Sequence, residues 1–505
     1  MAFRASGRSS HSVENPRSSC SSVRTLEENV PVIRPDVTAG SIPDHRYTGS
    51  ARGHPAKGRA NEQRTTLNTF TADRAASLPG PAWARARRTD SFDVFSAMAL
   101  PSDKEEVWRY SPIDALDLDG YAPVRPVPPG TSPDPLAAAF VAGVARDLPE
   151  RAATVTTSGG AVTSVARHGL DEGVLVGSLA DAGEGTLGRV LAGGDALVRL
   201  NDGFHPDAVV IDVPDGAVVA DPIVVVHWCD AATAGGSGAA PASFPRTVVR
   251  IGRGASAGVV EVVAGPPQGR ALVVPVTELH AEDGAVLSYV GLQVLGPNVW
   301  HIARIAAASE RDASLRTFTV GLGGAYDRSR TDAVAAGAGS TTQLRSAYLG
   351  TGEQVHDVRT LQDHAAPHTT SDLLCKGAVA GSSRSIYSGL IRVRRGALRT
   401  EAFQTNNNLV LDAGAHADSV PNLDIEENDV RCSHASTVGP VDEDQRYYLE
   451  SRGVPPERAE QLIVLGFFED IIQRSPVPGS VERLRREVGI RLTEALHIGG
   501  GDGDG

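Results

Sequence analysis

The sequence predicts a mainly β protein, a β-solenoid flanked by α-helical regions at both ends, on three observations. From about residue 155 to 437, short apolar or alternating runs follow one another, separated by Gly, Asp, Asn and Pro, with hardly a helical segment of ten residues. A polar-to-alanine corner recurs there at Gly254-Ala255, Gly284-Ala285, Asp312-Ala313, Gly337-Ala338, His364-Ala365, Gly396-Ala397 and Gly414-Ala415, with alanine spacings of 30, 28, 25, 27, 32 and 18. Composition agrees: 54 glycines and only 5% aromatic residues call for many turns and a core of Val, Leu, Ala and Ile. Strands at such a period, with no intervening helix, are the mark of stacked coils that bury their apolar faces only against their neighbours. A β-sandwich is the competing expectation, but its strands recur every 8 to 12 residues or so without the longer period.

The elements follow in order. Residues 1–69 are set apart as an extension rich in Ser, Arg, Gly and Pro, expected to be disordered or to stem from a start codon assigned too far upstream; Arg and Ser in 1–23 also give it a superficial likeness to a transit peptide. Residues 70–154 form an N-terminal helical region. Leu78-Pro-Gly-Pro-Ala-Trp83 is a turn and an aromatic anchor, 85–97 favours a helix, Ser102 before Glu105 and Glu106 reads as a capping box that starts another, and 134–150 supplies a third. The β core takes 155–437, with runs such as Ala208-Val-Val-Ile-Asp-Val213 and Pro222-Ile-Val-Val-Val-His-Trp228. Residues 438–498 return to helix: 441–449, then 455–472 with Ala459, Leu462, Ile463, Gly466, Phe467 and Ile471 at helical spacing, then about 480–496. Residues 499–505 are an acidic tail expected to be disordered.

Charge and motifs remove several function classes. The formal net charge is −13, and residues 1–97 carry 14 basic against 9 acidic groups, so the remainder is still more acidic. That disfavours nucleic acid and anionic membranes as partners. No window approaches a membrane span, and no apolar segment suited to secretion follows the N-terminus. None of the three lysines, Lys57, Lys104 and Lys376, precedes Ser or Thr, which leaves no phosphate-binding loop for ATP. The four cysteines Cys20, Cys229, Cys375 and Cys432 never form Cys-x-x-Cys, so a reducing cytoplasm is the expected setting. Nucleophile elbows, His-Glu-x-x-His and dinucleotide loops are missing too, so the chain reads as a non-catalytic protein.

One local pattern points to metal chemistry. In Asp429-Val-Arg-Cys432-Ser-His434, residues two apart on a strand project from one face, and thiolate with imidazole suits zinc or iron–sulfur chemistry. Two ligands do not close a site. The rest would come from His364, His368 or His416 on other coils, or from a second chain. Packing is the plainer reading of such a pair, and buried, inert thiols are expected at Cys229 and Cys375.

The blocks Thr400-Glu-Ala-Phe-Gln-Thr-Asn-Asn-Asn-Leu-Val-Leu411, Pro421-Asn-Leu-Asp-Ile425, Val430-Arg-Cys-Ser-His-Ala-Ser-Thr-Val-Gly439, Asp442-Glu-Asp-Gln-Arg-Tyr-Tyr-Leu449 and Ser451-Arg-Gly453 together resemble the SufB/SufD family of iron–sulfur cluster assembly proteins over roughly 70–498. Leu-Pro-Gly-Pro-Ala-Trp and Glu-Glu-Val-Trp-Arg-Tyr upstream look like SufD, and Asn406, where SufB carries a cysteine, and Cys432, which SufB lacks, point the same way. The resemblance implies a right-handed parallel β-helix, pairing with SufB, docking of the ATPase SufC on the C-terminal helices, and a scaffold without catalysis of its own. A sulfur donor system and recipient apo-proteins are the indirect partners. It further implies that His434, with Cys432 beside it, helps form or hold a transient iron–sulfur cluster shared with SufB. FADH2 has been proposed for assembled complexes of this family, so the resemblance leaves it open for the complex and implies no cofactor held stably by the chain alone. Two alternatives stand: a purely structural partner of SufB, and a β-solenoid carbohydrate-active enzyme, which would need an Asp, Arg or Lys groove that is not evident.

Overall fold

The computed structural model describes residues 67–127, 134–191, 193–229 and 238–498. The expectations for residues 1–66 and for the tail 499–505 lie outside the described residues. Helix α1 (Ala72–Ser77) starts where the Thr71 side chain accepts from the Arg74 amide. Helix α2 (Ala82–Ala97) begins three residues before the expected 85, directly after Pro81, whose ring presets the entry to a helix. The helix expected from Ser102 shrinks to a single 3-10 turn, Glu106–Trp108. The Glu105 carboxylate does accept the Ser102 amide at 3.2 Å. Elongation then fails, because Tyr110 turns to φ +69 and Pro112 follows. Strand β1 (Tyr121–Pro123) precedes helix α3 (Pro135–Asp147), which is capped by Asp134.

The chain then enters the coils. β2 (Ala153–Ser158) and β3 (Ala161–Arg167) form a hairpin, and β4 (Leu175–Gly177) and helix α4 (Ala196–Phe204) lead to β5 (Val209–Val213), β6 (Ile223–Trp228) and β7 (Ala240–Ser243). Successive coils place β8 (Arg246–Ile251), β9 (Ser256–Ala264), β10 (Ala271–Val273), β11 (Val276–Ala281), β12 (Val286–Val294), β13 (Val299–Ser309), β14 (Ser314–Gly321), β15 (Tyr326–Ala335), β16 (Thr341–Gly350), β17 (Val355–His364), β18 (Thr370–Val379), β19 (Arg384–Val393), β20 (Thr400–Val410), β21 (His416–Ile425) and β22 (Val430–Gly439). They alternate between two sheets, in orders β21-β19-β17-β15-β13-β11-β8-β5-β4 and β22-β20-β18-β16-β14-β12-β9-β6-β2-β3. From β5 and β6 onward every ladder between successive coils is parallel, so the fold is a parallel β-helix of about seven turns and not a sandwich.

Register corrects the corner repeat. Ala255, Ala285 and Ala313 are buried corner residues, each preceding strands paired in register. The same position in the next coils is Ser340, Thr369 and Thr400, all fully buried, rather than Ala338 and Ala365. Ala397 is buried in its corner as well, but it precedes the registered position. Ala415 belongs to the opposite corner, between β20 and β21, which accounts for the short last spacing. The change from Ala to hydroxyl residues is chemical: the Thr369 and Thr400 hydroxyls, 3.1 Å apart, each have a turn carbonyl within donating reach.

The lumen is apolar at its N-terminal end, around Val209, Ile223, Val249, Leu279 and Leu287, and grows polar toward β22. Glu261 sits fully enclosed, accepting from His227 at 2.8 Å, Thr247 at 2.5 Å, Thr277 at 2.9 Å and Tyr289. Burial alone would raise its pKa, but these donors, His227 above all, hold it below the usual carboxylate value. Two coils on, Asp327 is likewise held low between His301 at 2.7 Å and His356 at 3.1 Å, against the opposing effect of burial. The lumen cavity beside these groups, about 50 Å³, has room for a few water molecules and not for a flavin ring.

Helices α5 (Glu443–Ser451), α6 (Pro456–Ile472) and α7 (Val481–Ile498) follow the last coil. Helix α6 is apolar on most of its circumference, and its buried side is Ala459, Val464, Phe468, Ile471 and Ile472; Leu462 and Gly466, expected on that side, are exposed. Asp147 of α3 binds Arg483 at 3.0 Å and Arg486 at 2.7 Å, both in α7, so the two helical regions meet at a buried carboxylate. Among the described residues no helix is long and apolar enough to cross a membrane.

Candidate functional site

The two ends of the β-helix differ. At the N-terminal end β3 lies antiparallel on β2 and β4 antiparallel on β5, and Arg167 of β3 bonds the Val176 carbonyl of β4 at 3.1 Å. At the C-terminal end the sheets stop at β21 and β22, ten-residue strands with nothing paired beyond them among the described residues. Each therefore presents a row of unpaired backbone groups. Pro421 in β21 is the type of residue such an edge tolerates.

Alternation sets the side chains of this last coil. In β22, Arg431 reaches Glu401 at 3.2 Å and Thr437 reaches Asn407 at 2.8 Å on the outer face. Cys432, His434 and Ser436 consequently share the inner face. Cys432 is half-buried against Ile391, Val393, Ala397 and Ala402, and burial moves its thiol above the ordinary value. His434 is exposed, because no further coil covers it. Ser436 donates to Ser419 of β21 at 2.7 Å, and Ser419 donates to Asn406 at 2.8 Å. Asn408 donates to Asn406 at 2.7 Å and itself receives the Tyr348 hydroxyl. The mouth of the lumen thus has an apolar side, with Leu423, Ile425, Val430 and Cys432, and an amide-and-hydroxyl side.

The structure brings Cys432 and His434 to one face and leaves the other candidate histidines apart. His364 is buried, bonded to Thr369 at 2.7 Å and Ser371 at 2.8 Å, and burial pushes its pKa down to about 4. His368 lies in a turn at φ +59, and His416 bonds Asp418 at 3.1 Å. Among the described residues no three His, Cys, Asp or Glu gather in a metal-binding group. Cys229 and Cys375 are buried, and burial raises the Cys375 thiol to about 12. Missed from sequence were Gln404 and Asn408, whose side chains share the inner face of β20 with Asn406, a residue the sequence marked only for the SufD likeness. Their signal was there: three amides two residues apart where alternation calls for apolar side chains.

The C-terminal helices form the second candidate surface. Helix α5 buries none of its residues and exposes Tyr447 and Tyr448. Helix α6 is fastened to the β-helix by Lys376 of β18, whose Nζ lies 3.0 Å from the Phe467 carbonyl, 2.7 Å from Asp470 and 4.6 Å from the centre of the Phe467 ring.

Comparison with known proteins matches residues 233–467 to the family model for the SufBD core domain of the SUF system of iron–sulfur cluster assembly. The chain is 30% identical over 417 residues to the iron-sulfur cluster assembly SufBD family protein Rv1462 of Mycobacterium tuberculosis, covering 81% of this chain and 93% of that one. It is 26% identical over 404 residues to the iron-sulfur cluster assembly protein SufD of Escherichia coli, covering 78% and 89%. Protein ABCI7, chloroplastic, of Arabidopsis thaliana is 30% identical over 287 residues, covering 56% and 60%.

Proposed function

The chain belongs to the SufBD family as a SufD-like iron–sulfur cluster assembly protein, and from that premise we propose that it is a non-catalytic scaffold subunit that pairs with a SufB-type subunit through its last coil. One observation carries the reading: the uncapped end of the β-helix is also where Cys432 and His434 share the lumen face. A SufB strand beside β21 or β22 would satisfy the open backbone groups and bring its own ligands to the mouth. Iron and sulfide are the cargo. Neutral imidazole binds iron more weakly than thiolate, which suits a scaffold that must release its product.

The ATPase SufC would dock on α5 and α6, where Tyr447, Tyr448 and Leu462 are exposed. Its closure on ATP would pull α6, and the Lys376 anchor would carry that pull to β18 and open the paired coils.

The experiment replaces His434 by Ala in the complex with SufB and SufC. We expect cluster build-up to be lost while the three subunits still copurify; build-up at the normal rate would reduce the chain to a purely structural partner.

A further inference from the structure

Directly beneath His434, in parallel register, lies Gln404 of β20. It is 1% exposed, yet neither its Oε1 nor its Nε2 has a hydrogen-bond partner among the described residues. An amide buried without partners is costly, because both groups give up their bonds to water and gain none in return. The fold makes room for it nonetheless. The amide crosses the lumen to Gly389 of β19, where a Cβ would stand 2.6 Å from Nε2, so no larger residue fits there without displacing it. Above Gly389 in register is Pro421, which brings no amide hydrogen of its own. The one side chain of the covering coil that both faces the lumen in register with Gln404 and carries a hydrogen-bonding ring is His434.

We infer that Gln404 is a positioning residue for His434: its Oε1 accepts the hydrogen of Nδ1 and leaves the Nε2 lone pair directed out of the lumen mouth as the ligating atom. In-register neighbours on adjacent strands stand about 4.8 Å apart, so rotation about the last bonds of the Gln404 side chain brings the amide to the ring. A ligating histidine is held in this way by an acceptor on its other nitrogen, which fixes both the tautomer and the ring plane. Gln404 meets no cargo itself. The inference rests on the ligand reading of His434, but the tautomer can be read without any cluster.

The test is nitrogen-15 NMR of the histidine rings in the full chain, with the His434 signals assigned by their loss in His434→Ala. The expected result is a neutral His434 protonated on Nδ1, and in Gln404→Leu a shift toward the Nε2-protonated form that free imidazole prefers. Gln404→Glu supplies a second reading should the leucine variant fail to fold: it keeps an acceptor at the same place and retains the Nδ1 proton. An Nε2-protonated ring in the unmodified chain, a tautomer indifferent to Gln404→Leu, or an Nε2-protonated ring in Gln404→Glu overturns the inference. If the tautomer follows Gln404 while His434→Ala builds clusters normally, positioning stands and the ligand reading fails.

Discussion

Ser436 of β22 donates to Ser419 of β21 across 2.7 Å, so the last coil is closed by two of its own side chains while its backbone edges stay open. Side-chain closure keeps the two strands together in the isolated chain, while no strand pairs beyond them among the described residues. The predictions follow from that division.

Hydrogen exchange should locate the interface. In the isolated chain the amides of His416–Ile425 and Val430–Gly439 should exchange faster than those of the interior strands, since one side of each ladder is missing. Adding a SufB-type partner should slow them, while β2 and β3 change little. Protection appearing at the N-terminal hairpin instead would place the interface at the wrong end.

Thiol labelling should follow burial. Of Cys229, Cys375 and Cys432, only Cys432 should react with iodoacetamide in the native protein, slowly at pH 7 and faster as pH rises toward its elevated pKa. Cys375, raised to about 12 in the lumen, should react only after unfolding. Mass spectrometry of peptides from native and denatured samples checks this, and early modification of Cys375 would contradict the closed lumen.

Acid should destabilise the protein through His364. The unfolded chain protonates this group near 6.5, the folded protein only near 4, so between those values the unfolded state binds more protons. The stability tied to its neutral form is complete above about pH 6.5 and falls by about 3 kcal/mol on the way to pH 4. His364→Gln should flatten the dependence of Tm on pH between 7 and 4.5. It should not abolish it, because burial also lowers the pKa of His205 and the same direction applies there. An unchanged slope would show that His364 takes its proton in place.

Lys376→Met removes the ion pair with Asp470 and the bond to the Phe467 carbonyl while keeping the length of the stem. Asp470 is partly exposed, so the stability loss should be modest, about 1 kcal/mol. In the SufB–SufC complex the variant should hydrolyse ATP at the normal rate and build fewer clusters. Equal losses in both would mean that the anchor serves docking rather than transmission.

Gly377→Ala should cost about 2 kcal/mol, read as a lower denaturant midpoint, because its Cβ would run into the Tyr348 ring that lies over Gly377 and reaches Asn408 two strands along the same sheet. A neutral result would mean that the ring swings aside without losing its partner.

The stacked coils and the shared face of Cys432 and His434 were legible in the sequence because both depend on short-range order: a turn period and strand alternation. The corner residues were only partly so. Ala338 and Ala365 satisfy the local pattern, but Ser340 and Thr369 hold the registered place, and register is a property of neighbouring strands that spacing along the chain does not contain. Ser102 likewise had the residues of a helix start, and the residues that stopped the helix, Tyr110 and Pro112, act several positions later. On α6 the periodic signal misled, since a helix apolar nearly all round leaves its buried side to be chosen by what it packs on. Gln404 escaped notice for the opposite reason: a buried amide without partners has meaning only once the strand above it is known.

The antiparallel strands that end the first coil also bear on stoichiometry. A rod with two bare ends would go on adding copies head to tail until it became a fibre. Here one terminus ends on the antiparallel strands β3 and β4, so with a partner strand added at β21 or β22, as proposed, growth would stop at a pair.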